Sequence, residues 1–219
     1  MVTSANAAPF DPKSVRAAYD AAADDYVAAF ADDLDRLPID RSVLDATAEL
    51  LSRKHPVLDI GCGPGQVATY LADRGIEMIG MDLAPRMLLL AAQRTRGGRF
   101  VNSDMRALPF SSQSFSGAVA FYSIQHLPRL ALGDALSEIR RVLVPDGILV
   151  VATHLGHGEV YVDEFLGHQI DSVGGTLYAE DELRLVVERR SFRVEQVRKR
   201  GPLAHEHQSE RVYLTARRR

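Results

Sequence analysis

Tryptophan is missing from this sequence, and cysteine occurs once, as Cys62, so no internal disulfide can form. Long apolar runs are missing too. MLLLAA at 87 to 92 and ILVVA at 148 to 152 fall far short of the roughly 20 residues that a bilayer helix requires. The first ten residues, MVTSANAAPF, have neither a basic start nor a sustained apolar core, so no secretory signal is expected and a cytoplasmic location follows. No strong excess of one charge exists either. A net charge of -3 argues against a general nucleic-acid binder. The charge is nevertheless uneven: residues 1 to 50 carry ten acids and four bases, whereas 189 to 219 carry ten bases and three acids. Arginines on exposed edge strands, which discourage edge-to-edge association, account for that tail better than a polyanion site does.

What is present is the balance of a globular protein, 46% apolar and 25% charged over 219 residues, enough for one α/β domain with a full core. Residues 13 to 54 read as helix, with Val15, Tyr19, Tyr26, Phe30, Leu34 and Leu37 recurring at three, four or seven residues. Pro38 is expected to break it, with a second helix from about Ser42 to Arg53. From His55 onward short β-rich runs alternate with helical ones: PVLDIG, EMIGMD, RFVNSD, SGAVAFYS and GILVVATH, with helices over 64 to 74, 85 to 95 and 130 to 143 between them. Such alternation predicts parallel strands joined by right-handed crossovers, hence a doubly wound sheet. Pro145, Asp146 and Gly147 are expected to turn the chain before the fifth strand. After a helix at 180 to 190, FRVEQVRKR and SERVYLTARR follow with no helix between them and should pair antiparallel.

The run VLDIGCGPGQVA, 57 to 68, joins a strand to a glycine loop that opens a helix, a place where backbone amides meet a nucleotide. Two details narrow the ligand. Gln66 occupies the position of the third glycine in a dinucleotide fingerprint, which argues against an NAD-dependent oxidoreductase. Asp59 places a carboxylate beside the loop, an unfavourable neighbour for a pyrophosphate and a suitable one for a cationic or zwitterionic ligand. Twenty-one residues after Gly61, Asp82 ends the second strand where it can accept both hydroxyls of an unphosphorylated ribose. Asp104 and Met105 end the third, offering a carboxylate to an adenine amino group beside an adaptable thioether.

The stretches VLDIGCGPGQVATYLADRG, IGMDLAPRMLLLAA, FVNSDMRALPFSSQSFSGAVAFYSIQHLP and IRRVLVPDGILVVATH, in this order, resemble a class I S-adenosylmethionine-dependent methyltransferase of the small-molecule branch, methyltransferase type 11, related to ubiquinone-biosynthesis methylases. The resemblance covers 55 to 154 closely and the flanks loosely. It implies an α/β, Rossmann-like, doubly wound seven-stranded sheet of order 3-2-1-4-5-7-6 with strand 7 antiparallel, under an N-terminal helical cap of residues 1 to 54. The cofactor implied is S-adenosylmethionine, with S-adenosylhomocysteine as product. Asp59, Gly61, Cys62, Gly63 and Gly65 are then assigned to its methionine portion and Asp82 to the ribose. Leu83 and Met87 flank the adenine, and Asp104 and Met105 reach its edge. Phe121, Tyr122 and His126 lie next to the transferable methyl, and Tyr19 and Tyr26, seven apart on one helical face, cover the cofactor or belong to the core stripe.

Methyl transfer leaves a general base optional, and the histidines able to serve a hydroxyl acceptor are His126, His154 and His157. His126 sits in SIQHLP, where a pocket-shaping role competes with a catalytic one. His154 ends strand 5, where open sheets place ligands. Residues 155 to 179 form an insertion that is a candidate lid over the acceptor. Its His157, Asp163, Glu164 and His168, with His154, have no recognised metal-ligand spacing, and His205, Glu206 and His207 read as a polar hairpin loop, so no metal is expected. FYSIQH replaces the Asn/Asp-Pro-Pro-aromatic run associated with methylation of base amino groups. The expected partner is therefore a small-molecule acceptor; an RNA substrate gripped by the basic C-terminus and a noncatalytic cofactor-binding module are the alternatives.

Overall fold

The computed structural model describes residues 9–204 and 206–219. Four short helices come first: α1 (Pro12–Ala21), α2 (Ala23–Phe30), α3 (Asp33–Arg36) and α4 (Pro38–Leu50). Asp11 caps α1 by accepting from the Lys13 amide at 3.0 Å. Pro38 opens α4 instead of merely ending its predecessor, because a fixed φ and a missing amide hydrogen cost nothing in a first helical turn. The second helix therefore starts four residues earlier than its periodicity predicts.

The Rossmann-like alternation follows: β1 (Val57–Ile60), α5 (Gln66–Ala72), β2 (Met78–Asp82), α6 (Pro85–Arg94), β3 (Arg99–Asn102), β4 (Phe115–Phe121), α7 (Leu132–Val142) and β5 (Leu143–His154). A hairpin of β6 (Glu159–Phe165) and β7 (His168–Thr176) comes next, then α8 (Glu180–Arg189), β8 (Phe192–Arg200) and β9 (Arg211–Arg218). Seven strands form one sheet in the order β3-β2-β1-β4-β5-β9-β8, with β9 antiparallel to both β5 and β8. This is the expected topology, with β6 and β7 lying outside the main sheet as a separate two-stranded ribbon.

Alternation along the strands sorts the core into two faces. Ala118, Ala120, Leu149, Val151 and Leu214 pack with Leu136, Ile139 and Leu183 from α7 and α8. Val119, Phe121, Val150 and Ala152 pack with Leu44, Ala68 and Leu71 from α4 and α5. The expected turn at Pro145 to Gly147 lies within β5, where Asp146 adopts φ 60° and the pairing with β4 shifts register between Phe115 and Gly117. It is a bulge in the strand, not a turn before it.

Candidate functional site

β1 runs into its loop with Gly61, Gly63 and Gly65 all at positive φ, 68°, 50° and 85°. At Gly61 a Cβ would stand 2.3 Å from that of Ser123, so the turn admits only glycine. Gly65 is the N-cap of α5, and Gln66 at the first helical position donates its side-chain Nε2 to the Phe30 carbonyl at 2.9 Å. The carboxyl edge of the sheet then faces a cavity of about 480 Å³. Across the strand order, Asp82 ends β2, Asp59 lies in β1, Phe121 and Tyr122 end β4, His154 ends β5 and Arg211 begins β9; all six line that cavity. The order reverses between β1 and β4, where open α/β sheets bind ligands.

Asp59 is 1% exposed, and its Oδ2 has no hydrogen-bond partner. Burial pushes its carboxyl up to about 7, Asp82 adds to the rise and the Ala68 amide opposes it. An orphaned buried carboxylate oxygen calls for a cationic neighbour. Asp82 is oriented by the Gly63 amide on Oδ2 and the Ala84 amide on Oδ1, each at 2.9 Å. Two bonds leave acceptor capacity for ligand hydroxyls, since an ionised carboxylate offers about four lone-pair sites. Burial raises its pKa against these amides.

Leu83, Met87, Ser103 and Met105 line the same cavity beyond Asp82, giving an apolar slot. Asp104 does not line it: its carboxylate is held by its near neighbour Arg106, with Nε 3.0 Å from both oxygens and Nη2 2.6 Å from Oδ2. The residue that lines the slot in its place is Ser103. Cys62 is buried in the wall, its thiol pushed up by burial.

Tyr19 and Tyr26 from the first two helices roof the cavity, their rings 6.0 Å apart. Phe165 from the β6–β7 ribbon packs edge-on against Tyr19 at 5.2 Å, and Phe30 against Tyr26 at 4.9 Å. Burial raises both phenols, that of Tyr26 to about 12, so both hydroxyls stay protonated. Tyr19 Oη lies 2.8 Å from His126 Nε2, while His126 Nδ1 lies 3.2 Å from the Gly174 carbonyl. A carbonyl only accepts, so Nδ1 carries the proton and Nε2 accepts from Tyr19. With both nitrogens engaged and burial lowering its pKa, His126 is a positioning group rather than an open base. His154 differs, since only its Nδ1 is bonded, to Ser209 Oγ at 2.7 Å. His157 is exposed and lies outside the cavity lining.

Tyr122 holds φ 53°, a conformation that bulky residues avoid. It is fixed by a hydrogen bond from its hydroxyl to Asp40 Oδ1 at 2.9 Å. Asp40 Oδ2 accepts from Tyr213 at 2.7 Å and stands 3.3 Å from Arg200 Nη2. Arg200 in turn grips Glu206 at 2.5 and 2.7 Å. Sequence reasoning missed Phe165, Asp40 and Arg211; the first is an aromatic in the insertion, and the others carry no local motif. His205 of the expected polar loop lies outside the described residues. Among the described residues no group of three or more His, Cys, Asp or Glu is placed to hold a metal ion. No helix among them is long and apolar enough to cross a membrane. The basic tail is largely spoken for: Arg193 and Arg217 pair with Glu195, and Lys199 with Glu180.

Comparison with known proteins finds a matching domain and a shared fold. Residues 57–147 match the family model described as a methyltransferase domain. A malonyl-acyl-carrier-protein O-methyltransferase of Enterobacter lignolyticus is 32% identical over 145 residues, 66% of this chain and 55% of that protein. The chain spans about half the length of the curated relatives it matches. The crystal structure of magnesium protoporphyrin IX methyltransferase from Synechocystis PCC 6803 with bound S-adenosylmethionine superposes with a TM-score of 0.72, covering 99% of this chain and 100% of that one at 16% identity. A protein described as a cyclase shares the fold with a TM-score of 0.63, 22% identity and coverage of 81% of each chain.

Proposed function

We propose that the chain, whose residues 57–147 match a methyltransferase domain, is a class I S-adenosylmethionine-dependent methyltransferase that transfers a methyl group from S-adenosylmethionine to oxygen or nitrogen of a small-molecule metabolite. The observation that carries this reading is Asp59, a buried carboxylate with an orphaned oxygen in the wall of the cavity. When bound, the cofactor supplies a methyl group on a sulfonium, an electrophile with a good leaving group. The residues that would hold it are Asp59 and the Gly61 to Gly65 loop for the amino-acid portion and Asp82 for the ribose. Leu83, Met87, Ser103 and Met105 would take the adenine. Tyr19 and Tyr26 exclude water, and each ring facing a cation contributes about 0.5 to 2 kcal/mol. Positioning and desolvation supply most of the rate in such a displacement.

Of the expected cap of residues 1 to 54, residues 1 to 8 lie outside the described residues; residues 9 to 54 then act as a cap and the ribbon within 155 to 179 as a lid, closing on the cavity through Tyr19, Tyr26 and Phe165. The name of the Enterobacter relative supports an oxygen acceptor, and the base suited to one is His154, whose Nε2 is not engaged. Titration calorimetry with S-adenosylmethionine and S-adenosylhomocysteine, followed by a metabolite screen for S-adenosylhomocysteine release, tests the proposal. Absence of binding to either compound would overturn it; binding without turnover of any acceptor would leave a noncatalytic cofactor-binding module.

A further inference from the structure

The acceptor end of the cavity continues into a chain of three side chains that reaches the surface. His154 lines the cavity, and its Nδ1 stands 2.7 Å from Ser209 Oγ. The same hydroxyl lies 3.2 Å from Nδ1 of His207, which also lines the cavity and whose ring, 5.8 Å from that of His154, is exposed to solvent. A hydroxyl has one proton, so between two Nδ1 atoms it donates to one and accepts from the other. The loop that carries it is tightly held: the Ser209 amide donates to the His207 carbonyl at 2.8 Å. Arg211 donates to that carbonyl at 2.6 Å and also to the Ser209 carbonyl. Arg211 sits directly opposite His154 in the β5–β9 register.

We propose that His154, Ser209 and His207 form a proton exit serving an acceptor with an ionisable hydroxyl, which commits the acceptor atom to oxygen and rests on the methyl-transfer reading above. As the acceptor oxygen bonds to the methyl carbon, the electron pair of the broken carbon–sulfur bond stays on sulfur. The hydroxyl proton passes to His154 Nε2, the His154 Nδ1 proton passes to Ser209 Oγ, and the Ser209 proton passes to His207 Nδ1. His207 then releases its Nε2 proton to water. The sum is an alcohol or acid and a sulfonium giving an ether or ester, a thioether and one proton. The surroundings of His154 favour onward passage over storage of that proton. Burial first, then the charge of Arg211, hold its imidazole down to about 4, with His207 and Arg200 acting in the same sense and Glu206 against them. The Tyr122 ring, 5.5 Å away, closes the remaining side and spends its hydroxyl on Asp40.

The path requires one tautomer at each ring, which can be read without any acceptor. Nitrogen NMR of the full chain carrying isotope-labelled histidine, assigned with His154→Gln and His207→Gln, is expected to show His154 protonated at Nδ1 and bare at Nε2. His207 is expected to be protonated at Nε2. Ser209→Ala should lose this fixed pair of tautomers, and Ser209→Thr, which keeps the hydroxyl, should retain it. His154 protonated at Nε2 in the unaltered protein, or tautomers indifferent to Ser209→Ala, would overturn the proposal. If the alanine variant fails to fold, the unaltered protein and the threonine variant still decide. The readout needs no cofactor, so a negative result here is distinct from a failure to bind S-adenosylmethionine in calorimetry.

Discussion

Asp59 and Asp82 carry most of the ligand-binding argument, and each makes a measurable claim. Asp82→Ala removes a charged acceptor of two ligand hydrogen bonds and should weaken S-adenosylmethionine binding by about 1.5 to 3 kcal/mol in calorimetry. Asp59 is raised from 3.8 to about 7 in the folded chain, so the fold binds its proton more tightly than the unfolded state does. Its contribution to stability is therefore complete below pH 3.8 and lost as pH rises through about 7. Thermal melts of the cofactor-free protein should show this decline, and Asp59→Asn should flatten it. A cationic ligand reverses the preference, so S-adenosylmethionine binding near pH 6 should release protons, detected as a dependence of binding heat on buffer ionisation enthalpy. At this scale the sequence was readable where a residue's place in the sheet brings it to the cavity, as for Asp59 within β1 and Asp82 at the end of β2. Asp104 shows where that logic stops: it also ends a strand region, but Arg106 two residues on satisfies its carboxylate and keeps it from the cavity. Arg211 was invisible for the opposite reason, since its role depends on pairing with a strand far away in sequence.

Among elements, the glycine loop and the β6–β7 ribbon differ in how the chain specifies them. Gly61→Ala must tolerate both a left-handed φ, worth about 1 to 2 kcal/mol, and the Ser123 contact at 2.3 Å. A loss of at least that size is expected in chemical denaturation. The ribbon contributes Phe165 to the roof and is tied to α2 by His168 Nε2 at 2.8 Å from Asp25. Phe165→Ala removes an edge-on contact with Tyr19 and a tilted one with Tyr26, each pair worth about 0.5 to 1.5 kcal/mol. It should lower cofactor affinity by about tenfold while leaving the main sheet's far-ultraviolet circular dichroism unchanged. The parallel strands were legible because burial on both faces demands continuous aliphatic runs. β6 was not: Glu159 to Glu164 are exposed throughout, so alternation along it carries no apolar period, and only its Leu166-Gly167 turn, with φ of 51° and 83°, marks it as a hairpin. Pro38 was misjudged because a proline signals either end of a helix.

Over the whole molecule, one ion pair joins the fourth helix to the last two strands. Arg200 and Asp40 have side chains 6% and 0% exposed, and both Tyr122, just after β4, and Tyr213 of β9 bond to the same carboxylate. Arg200→Met leaves Asp40 charged and buried, so a loss of about 3 to 5 kcal/mol is expected in urea unfolding. Glu206 on the other side of Arg200 is held down to about 2. Its contribution is present above its usual value near 4.5 and lost as pH falls toward 2, and Glu206→Gln should reduce the loss of stability in that acid range.

The hydrogen bond from the Gln66 side-chain Nε2 to the Phe30 carbonyl fastens the end of α2 to the start of the helix that opens beneath the glycine loop. Contacts of this kind, with the bonds of Arg86 to Asp20 and Asp24, that of Tyr19 to His126 and the two minor clusters around Val15 and Ala23, hold the first two helices against the body. Exchange of anything as large as a nucleoside through a cavity roofed by Tyr19 and Tyr26 then requires those helices to move. Their opening becomes a local equilibrium of its own, cheaper than global unfolding. Amide hydrogen exchange in α1 and α2 would thus be the fastest among the helices, would slow on ligand binding, and would set a ceiling on how quickly spent cofactor leaves.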